Sequence, residues 1–425
     1  MNRRLFLGQS AALIGTTAGM NKLALASKKT KAHVIVVGAG YGGATAAKYL
    51  RMLSNEGIAV TLIEPNGEFI SCPLSNLVVG GAAQMAAITT PYDGLPSKYG
   101  IKMVKGRVDK VDASKKTVTI NDGTTLSYDK LVLAPGIDMN FDAIEGLAQA
   151  NRDGVTLQAW KAGPETIALR KQLVDMPDGG VFALAIPLAP YRCPPGPYER
   201  TCQIANYLKE NKPKSKIIVV DANPDVSSKG KLFKKAWSDM YAGFIDYRPA
   251  HRVTAVDAKT KTIKFEFEED LKADVLNILP PMRAGNIVRS TGLANMNDRW
   301  AEVTFLDFAS TQAKDIHVLG DSIQTAPNMP KSGHMANQHA KVAAAAIVAE
   351  INDFPVNPQP VVTNTCYSFV NGSDVVHVAS VHQYVPDKAT FIPVKGAGGL
   401  SPEPNQLEGV YAWGWAKNIW ADAVA

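Results

Sequence analysis

The run His33-Val34-Ile35-Val36-Val37-Gly38-Ala39-Gly40-Tyr41-Gly42-Gly43 constrains this chain more than any other segment. It predicts a buried strand that enters G-x-G-x-x-G and continues into a helix from Ala44 to Leu53. A second strand, Ile58 to Ile63, ends on Glu64, 21 residues after Gly43. Strand, glycine turn, helix, strand and acid in this order form a dinucleotide-binding fingerprint. Gly38 permits the tight turn, Gly40 lets backbone approach a pyrophosphate, and Gly43 lets the helix pack closely on the strand. The helix N-terminus then stabilises the phosphates. Glu64 is placed to accept a hydrogen bond from a ribose hydroxyl.

Residues 1–26 read as a targeting segment. Arg3-Arg4-Leu5-Phe6-Leu7 is similar to a twin-arginine export signal, and Ala24-Leu25-Ala26 offers an A-x-A cleavage site. The run from Leu5 to Met20 is too short and too glycine-rich for a membrane anchor, which needs about 20 apolar residues. Export of the folded chain to the periplasm is therefore expected, where disulfides persist. Cleavage removes Arg3, Arg4 and Lys22 and no acid, which takes the formal charge from +6 to +3. That balance excludes a nucleic-acid footprint. No later segment is apolar enough to be an integral membrane span.

A chain of this length needs more than one core. Residues 31–145 read as the first part of a nucleotide domain, leaving through the strand and turn Tyr128-Asp129-Lys130-Leu131-Val132-Leu133-Ala134-Pro135-Gly136. Lys102–Val111 and Lys116–Ile120 alternate as strands, with Asn121-Asp122-Gly123 a hairpin turn. Residues 146–280 form a second unit, with a helix around Pro164–Met176 and strands Gly180–Ile186, Lys216–Val220, Thr262–Phe267 and Val275–Leu279. After its first strand stands Pro187-Leu188-Ala189-Pro190-Tyr191-Arg192-Cys193-Pro194-Pro195-Gly196-Pro197 in place of a glycine loop. Proline has no N–H to offer a phosphate, so this unit keeps the fold of a nucleotide domain without its site. Residues 281–352 return to the first domain through Ile316–Asp321 and a helix Gly333–Ile351. Residues 353–425 read as a C-terminal α+β interface domain whose tail, Leu407–Ala425, is short and glycine-interrupted. The fold class is α/β, with two Rossmann-like domains of glutathione-reductase type plus that third domain.

Four cysteines are present: Cys72, Cys193, Cys202 and Cys366. None lies in C-x-x-C-H, so the chain carries no c-type haem of its own, and no spacing suggests a metal site. On the export signal, the FAD-type fingerprint, Phe69-Ile70-Ser71-Cys72-Pro73-Leu74-Ser75-Asn76, the Tyr191–Arg200 loop, the Gly-Asp strand and the cysteine-bearing C-terminal region, the chain resembles the flavoprotein subunits of flavocytochrome c sulfide dehydrogenases. These are relatives of sulfide:quinone oxidoreductases. The resemblance implies FAD attached covalently through Cys72, with Asp321 holding its ribityl chain. It implies a redox disulfide between Cys193 and Cys366, with Glu199 beside it, and a c-type cytochrome subunit as partner.

Each site residue has a second reading. Cys72 serves equally as a small buried hydrophobe, and Cys193 and Cys366 as a structural staple. Cys202 reads as a core residue or as another partner for Cys193. Glu199 is either exposed beside Arg200 or handles protons. His334 and His339 are read as helix-surface or flavin-neighbour residues rather than metal ligands. Tyr411, Trp413, Trp415 and Trp420 form either core or a flavin wall, with Trp420 the better wall by resemblance. Hydrosulfide attack on the disulfide would leave a persulfide and a thiolate. A quinone acceptor, or an FAD electron-transfer module with a structural disulfide, are the alternatives.

Overall fold

The computed structural model describes residues 30–425. The expected export signal lies outside the described residues. Strand Ala32–Val37 pairs in parallel with Ile58–Glu64 and with Lys130–Leu133. Lys102–Lys105 and the returning strand Ile316–Val318 complete a five-stranded parallel sheet. Val34, Ile35 and Val36 are all fully buried. A parallel sheet covered on both faces needs such continuous apolar runs.

Helix Tyr41–Leu53 covers this sheet and packs against helix Gly333–Ile351. Both present buried alanines, among them Ala44, Ala47, Ala340 and Ala343. The entry to the first helix is as tight as its glycines imply. A Cβ on Gly43 would stand 1.7 Å from the Gly38 carbonyl oxygen. Gly38 itself has φ +91°, backbone that residues with a Cβ rarely adopt.

The second parallel sheet runs Ile245–Arg248, Lys216–Asp221, Val181–Ile186, Val275–Ile278. Its side chains alternate between two cores. Phe182, Leu184 and Ile186 join the main core, while Ala183 and Ala185 face a second one. Strand Thr262–Phe265, expected in this unit, lies instead in an antiparallel sheet with Val253–Asp257 and Leu271–Lys272. The connection from Asp257 to Thr262 is a short hairpin turn, and a parallel crossover needs a dozen residues or more. The expected strand Lys102–Val111 is likewise two strands broken at Gly106 and Arg107. Val108–Asp112 pairs antiparallel with Thr117–Ile120 in a sheet of its own. Where the chain passes between the two parallel sheets, Ile137–Met139 and Met282–Ala284 pair antiparallel.

Strands Val361–Phe369, Val375–Val385 and Thr390–Leu400 form an antiparallel sheet. The tail does not break at its glycines, because Gln406–Val424 is one helix of 19 residues. Asn405 caps it by accepting from Glu408 N at 2.9 Å. At Gly409 a Cβ would lie 2.2 Å from the Ser373 carbonyl oxygen, so this glycine serves packing. The far end is tied to the first helix. Lys48 Nζ donates to the Ala421 and Ala425 carbonyls, both at 2.9 Å, and Asp422 accepts from Tyr49 and Asn337. Among the described residues no helix is long and apolar enough to cross a membrane.

Gly43→Ala is expected to destabilise the fold by about 1–3 kcal/mol or more, the cost of overpacking. Gly67→Ala, where a Cβ meets nothing within 4 Å, is the control. Thermal unfolding followed by circular dichroism checks this, and equal midpoints for the two variants would contradict it.

Candidate active site

Two adjoining cavities lie above the first sheet. The larger, about 830 Å³, extends from Glu64 past Gly38, Gly40 and Gly42 to Cys72 and Asp321. The smaller, about 100 Å³, contains Cys193, Cys366 and Glu199 in its wall. Tyr41, Cys72, Arg192, Asp321 and Gly333 line both, so the two meet there.

The larger cavity is built for a dinucleotide. The helix that starts at Tyr41 has Gly40 as its N-cap, no side-chain cap and no acid in its first turn. Its unpaired N–H groups and dipole favour an anion at that end. A Cβ on Gly40 would touch nothing within 4 Å, leaving the backbone open to a close ligand. Glu64 is held at the wall rather than free. Its Oε2 accepts from Ala39 N at 2.7 Å, and its Oε1 from Asn66 N and Nδ2 at 2.9 and 2.7 Å. A carboxylate has about four acceptor sites, so one remains for a ribose hydroxyl. Asp321 is buried and its Oδ1 has no protein partner. Burial pushes its carboxyl upward against the opposing pull of Arg192 and Lys331. An orphaned buried acceptor on the cavity wall fits the hydroxyls of a bound cofactor chain.

Cys72 sits where the cavities meet. Tyr41 holds its segment, with the Tyr41 hydroxyl 2.7 Å from Ser71 Oγ and itself accepting from Trp420 Nε1 at 2.9 Å. Ser75 Oγ donates to the Cys72 carbonyl at 2.7 Å, and Ala162 N approaches Cys72 Sγ at 3.5 Å.

Cys193 stands in a left-handed backbone conformation, φ +59°. That costs a residue with a Cβ about 1–2 kcal/mol. The loop is held by Cys193 N donating to Lys331 O at 2.7 Å and by Trp160 Nε1 donating to Arg192 O at 3.1 Å. Cys366 is on strand Val361–Phe369, with Asn364 Nδ2 3.4 Å from its sulfur. Both sulfurs are unbonded in the structure. Burial pushes both thiols up; Cys366 and Glu199 add to the rise at Cys193 and Glu199 to that at Cys366, while Lys229 opposes it at both.

Glu199 is buried rather than exposed, 5% accessible. Its Oε2 accepts from Asn76 Nδ2 at 2.7 Å and its Oε1 from Phe369 N at 2.8 Å. Burial raises its carboxyl above the usual range; the two donors, Lys229 and Arg200 act the other way. Cys202, on the same helix, points away from the cavity. It is fully buried and 3.3 Å from Trp237 Nε1.

Four further residues of the site have no role assigned by the sequence, and Lys229 lies outside every quoted motif. Lys229 is buried and donates to Cys366 O at 3.0 Å, Ser368 Oγ at 2.7 Å and Val376 O at 3.1 Å. Burial brings its ammonium down to about 8. Arg192, Asn76 and Arg200 complete the set. Adjacency to Cys193 was the one signal that pointed to Arg192. His334 and His339 are not surface residues. His334 lines the smaller cavity and accepts from Thr365 N at 3.0 Å, and burial holds it down at about 4. His339 is buried 4.5 Å from the Phe308 ring. The two lie on different faces of helix Gly333–Ile351, and both faces are covered, one by Thr365 and Trp415 and the other by Phe308. Among the described residues no group of three or more potential ligands could hold a metal. Trp415 lines the smaller cavity, whereas Trp420 sits behind Tyr41 and Tyr411 is half exposed.

In the second domain the acid that ends the second strand of the sheet is engaged by the chain itself. Its strand Lys216–Asp221 ends on an acid, as a ribose-binding strand does. Asp221, however, is fully buried, and its Oδ2 accepts from Tyr198 and Tyr247 hydroxyls at 2.8 and 2.9 Å. The chain's own tyrosine hydroxyls thus fill acceptor sites of this carboxylate.

Comparison with known proteins matches this geometry. Residues 166–280 match the family profile described as sulfide dehydrogenase (flavocytochrome c) flavoprotein chain, central. Residues 358–424 match flavocytochrome c sulphide dehydrogenase, flavin-binding, and residues 32–165 match pyridine nucleotide-disulphide oxidoreductase. The sulfide dehydrogenase (flavocytochrome c) flavoprotein chain of Chlorobaculum thiosulfatiphilum is 58% identical over 46 residues, 11% of this chain and 94% of that sequence. The chain belongs to the flavocytochrome c sulfide dehydrogenase flavoprotein family. Family membership and the flavin-binding match support FAD as the cofactor of this chain. The mitochondrial sulfide:quinone oxidoreductase of Dictyostelium discoideum is 24% identical over 337 residues, 76% of this chain and 70% of that one. The solved sulfide:quinone oxidoreductase of Aquifex aeolicus superposes with a TM-score of 0.73 at 21% identity, covering 92% of both chains. The fold of this flavoprotein family member is thus shared with that enzyme.

Because Asp221 is satisfied internally and prolines replace the glycine loop, neither NADH nor NADPH is expected to reduce the bound flavin quickly. Anaerobic mixing followed by flavin absorbance checks this, and rapid full bleaching by either nucleotide would overturn it.

Proposed function

We propose that this chain oxidises sulfide at a redox pair formed by Cys193 and Cys366. In this reading FAD is attached through Cys72, and electrons pass singly to a c-type cytochrome subunit. The observation that carries the reading is the junction of the two cavities. The end of the dinucleotide cavity, at Cys72 and Asp321, opens onto the chamber holding Cys193, Cys366 and Glu199. The start Arg3-Arg4-Leu5-Phe6-Leu7 and the Ala24-Leu25-Ala26 site support export of the folded holoprotein to the periplasm, where the pair would stay oxidised.

The chemistry follows from the chamber. Two thiols held high by burial are poor attacking groups, since the thiolate is the nucleophile. Joined as a disulfide, they are an electrophile for an outside nucleophile. Glu199, a carboxyl raised by burial, takes the proton of hydrogen sulfide. Hydrosulfide then attacks one sulfur of the pair. The Cys193–Cys366 bond breaks, a new S–S bond joins the substrate sulfur to one cysteine, and the electron pair leaves on the other as thiolate. Lys229 and Arg192 are the cations that stabilise this charge. Bound FAD supplies a two-electron acceptor that can give electrons up one at a time.

A quinone is the competing acceptor, because the longer curated relatives are sulfide:quinone oxidoreductases. The flavocytochrome matches over 166–280 and 358–424 favour a cytochrome. Cytochrome c reduction faster than reduction of a soluble quinone is the expected result of a direct comparison.

Cys193→Ser and Cys366→Ser are each expected to keep FAD and to lose sulfide-driven bleaching. Glu199→Gln is expected to slow it by about 10²–10⁴-fold, the usual worth of general acid–base catalysis. Cys202→Ser is expected to remain active. Stopped-flow absorbance under anaerobic conditions measures all four, and normal turnover in Cys366→Ser would refute the pairing.

The flavin is expected to remain with acid-precipitated wild-type protein and to be released from Cys72→Ser. A colourless wild-type pellet, or a yellow one from the variant, would defeat covalent attachment at Cys72.

A further inference from the structure

A closed chain of hydrogen bonds reaches Glu199 from a residue with no place in the scheme above. Arg200 is completely buried, and its Nε donates to Asn76 Oδ1 at 2.9 Å. Three more of its N–H groups go to Gln158 O and Asn277 Oδ1, both at 2.9 Å, and to Ala159 O at 2.6 Å. Guanidinium has no acceptor, so the Asn76 amide is forced to turn its oxygen to Arg200. Its nitrogen then faces Glu199 Oε2 at 2.7 Å, with Gly196 O at 3.1 Å taking the second hydrogen. An amide free to flip would serve a protonated carboxyl as well as a carboxylate. This one offers a donor only.

We propose that Asn76, locked by Arg200, is a positioning residue that holds Glu199 as a carboxylate and so sets the pH at which it takes the substrate's proton. Burial alone drives Glu199 toward its neutral form. Hydrogen bonds donated to a carboxylate favour the charged form. The charged and titratable groups that act on Glu199 are Arg200 and Cys202 on its own helix, Gly196–Asn211, and Lys229, Cys193 and Cys366 from other elements. The two cations favour the carboxylate, and the three thiols are held neutral by burial. Asn76 is the side chain that touches Glu199 without bringing charge of its own. Its removal therefore moves the carboxyl titration upward, and a base that must be ionised to act loses rate at the acid end first.

The inference rests on Glu199 being the proton acceptor, and the test separates the two. The protonated carboxyl band of the FAD-loaded protein is followed by infrared difference spectroscopy against pH and identified by its loss in Glu199→Gln. In parallel, the pH dependence of sulfide-driven flavin bleaching is recorded, the ionisation of hydrogen sulfide being common to all variants. Asn76→Leu is expected to shift both the band and the acid limb upward by about one unit or more. If Asn76→Leu does not accumulate as folded holoprotein, Asn76→Ser is expected to shift both in the same direction. A merely structural Asn76 would change thermal stability and leave both titrations in place, which would overturn the inference. If Glu199→Gln kept the wild-type acid limb, the role of Glu199 would fall, while the band would still report whether Asn76 governs its ionisation.

Discussion

The guanidinium of Arg200 is the interaction on which the site depends. It has no contact with solvent and stacks 4.8 Å from the Trp160 ring. Its hydrogen bonds reach helix Ser75–Gly80 through Asn76, the Gln158–Ala159 connection, and strand Val275–Ile278 through Asn277. Burying an unpaired charge costs several kcal/mol, and these hydrogen bonds to neutral acceptors offset it, at about 1.5–3 kcal/mol for each bond to a charged group. The consequence is positional. The helix after Cys72, the Gln158–Ala159 connection, strand Val275–Ile278 and the helix carrying Glu199 are fixed to one another through a single side chain.

The active chamber is a place where charge is expensive. Burial pushes the two thiols and Glu199 toward their neutral forms, and pulls Lys229 toward its own. A reaction that creates a thiolate there needs its counter-charges already in place, since little solvent is present to reorganise. In the proposed reaction Lys229 would meet this need; its own hydrogen bonds go to three neutral acceptors around Cys366 and its neighbours. The C-terminal helix contributes from the other side. Through Trp420 and Tyr41 it fixes the segment before Cys72, and through Asp422 it is tied to the helix over the flavin cavity. The third region of the chain therefore helps build the site as well as cover it.

The first domain was legible because its signal is local. Glycine spacing, two apolar strands and Glu64 stand within about thirty residues, and each obeys a steric or hydrogen-bonding rule that needs no distant partner. The strand-to-proline loop was legible for the same reason. The antiparallel placement of Thr262–Phe265 was not, since a short apolar run looks alike in either kind of sheet. A glycine-interrupted tail does not show from sequence alone that Gln406–Val424 is one continuous helix. Gly409 is dictated by the Ser373 carbonyl, a contact 36 residues away in sequence. Burial of Glu199, His334 and His339, and the roles of Lys229 and Asn76, depend on elements that meet only in the folded chain. An isolated lysine in Ser227-Ser228-Lys229-Gly230 carries no mark of the cysteines it serves.

The central claim is that substrate sulfur bonds to one member of the Cys193–Cys366 pair. Its most direct test is a single anaerobic turnover of the FAD-loaded protein with isotope-labelled sulfide, quenched with iodoacetamide and read by peptide mass spectrometry. In samples quenched before the flavin bleaches, the account requires the labelled sulfur as an alkylated persulfide on the peptide of Cys193 or of Cys366, with the other cysteine alkylated as a thiol. Bleached flavin with label on neither peptide, or label confined to Cys202, would contradict it.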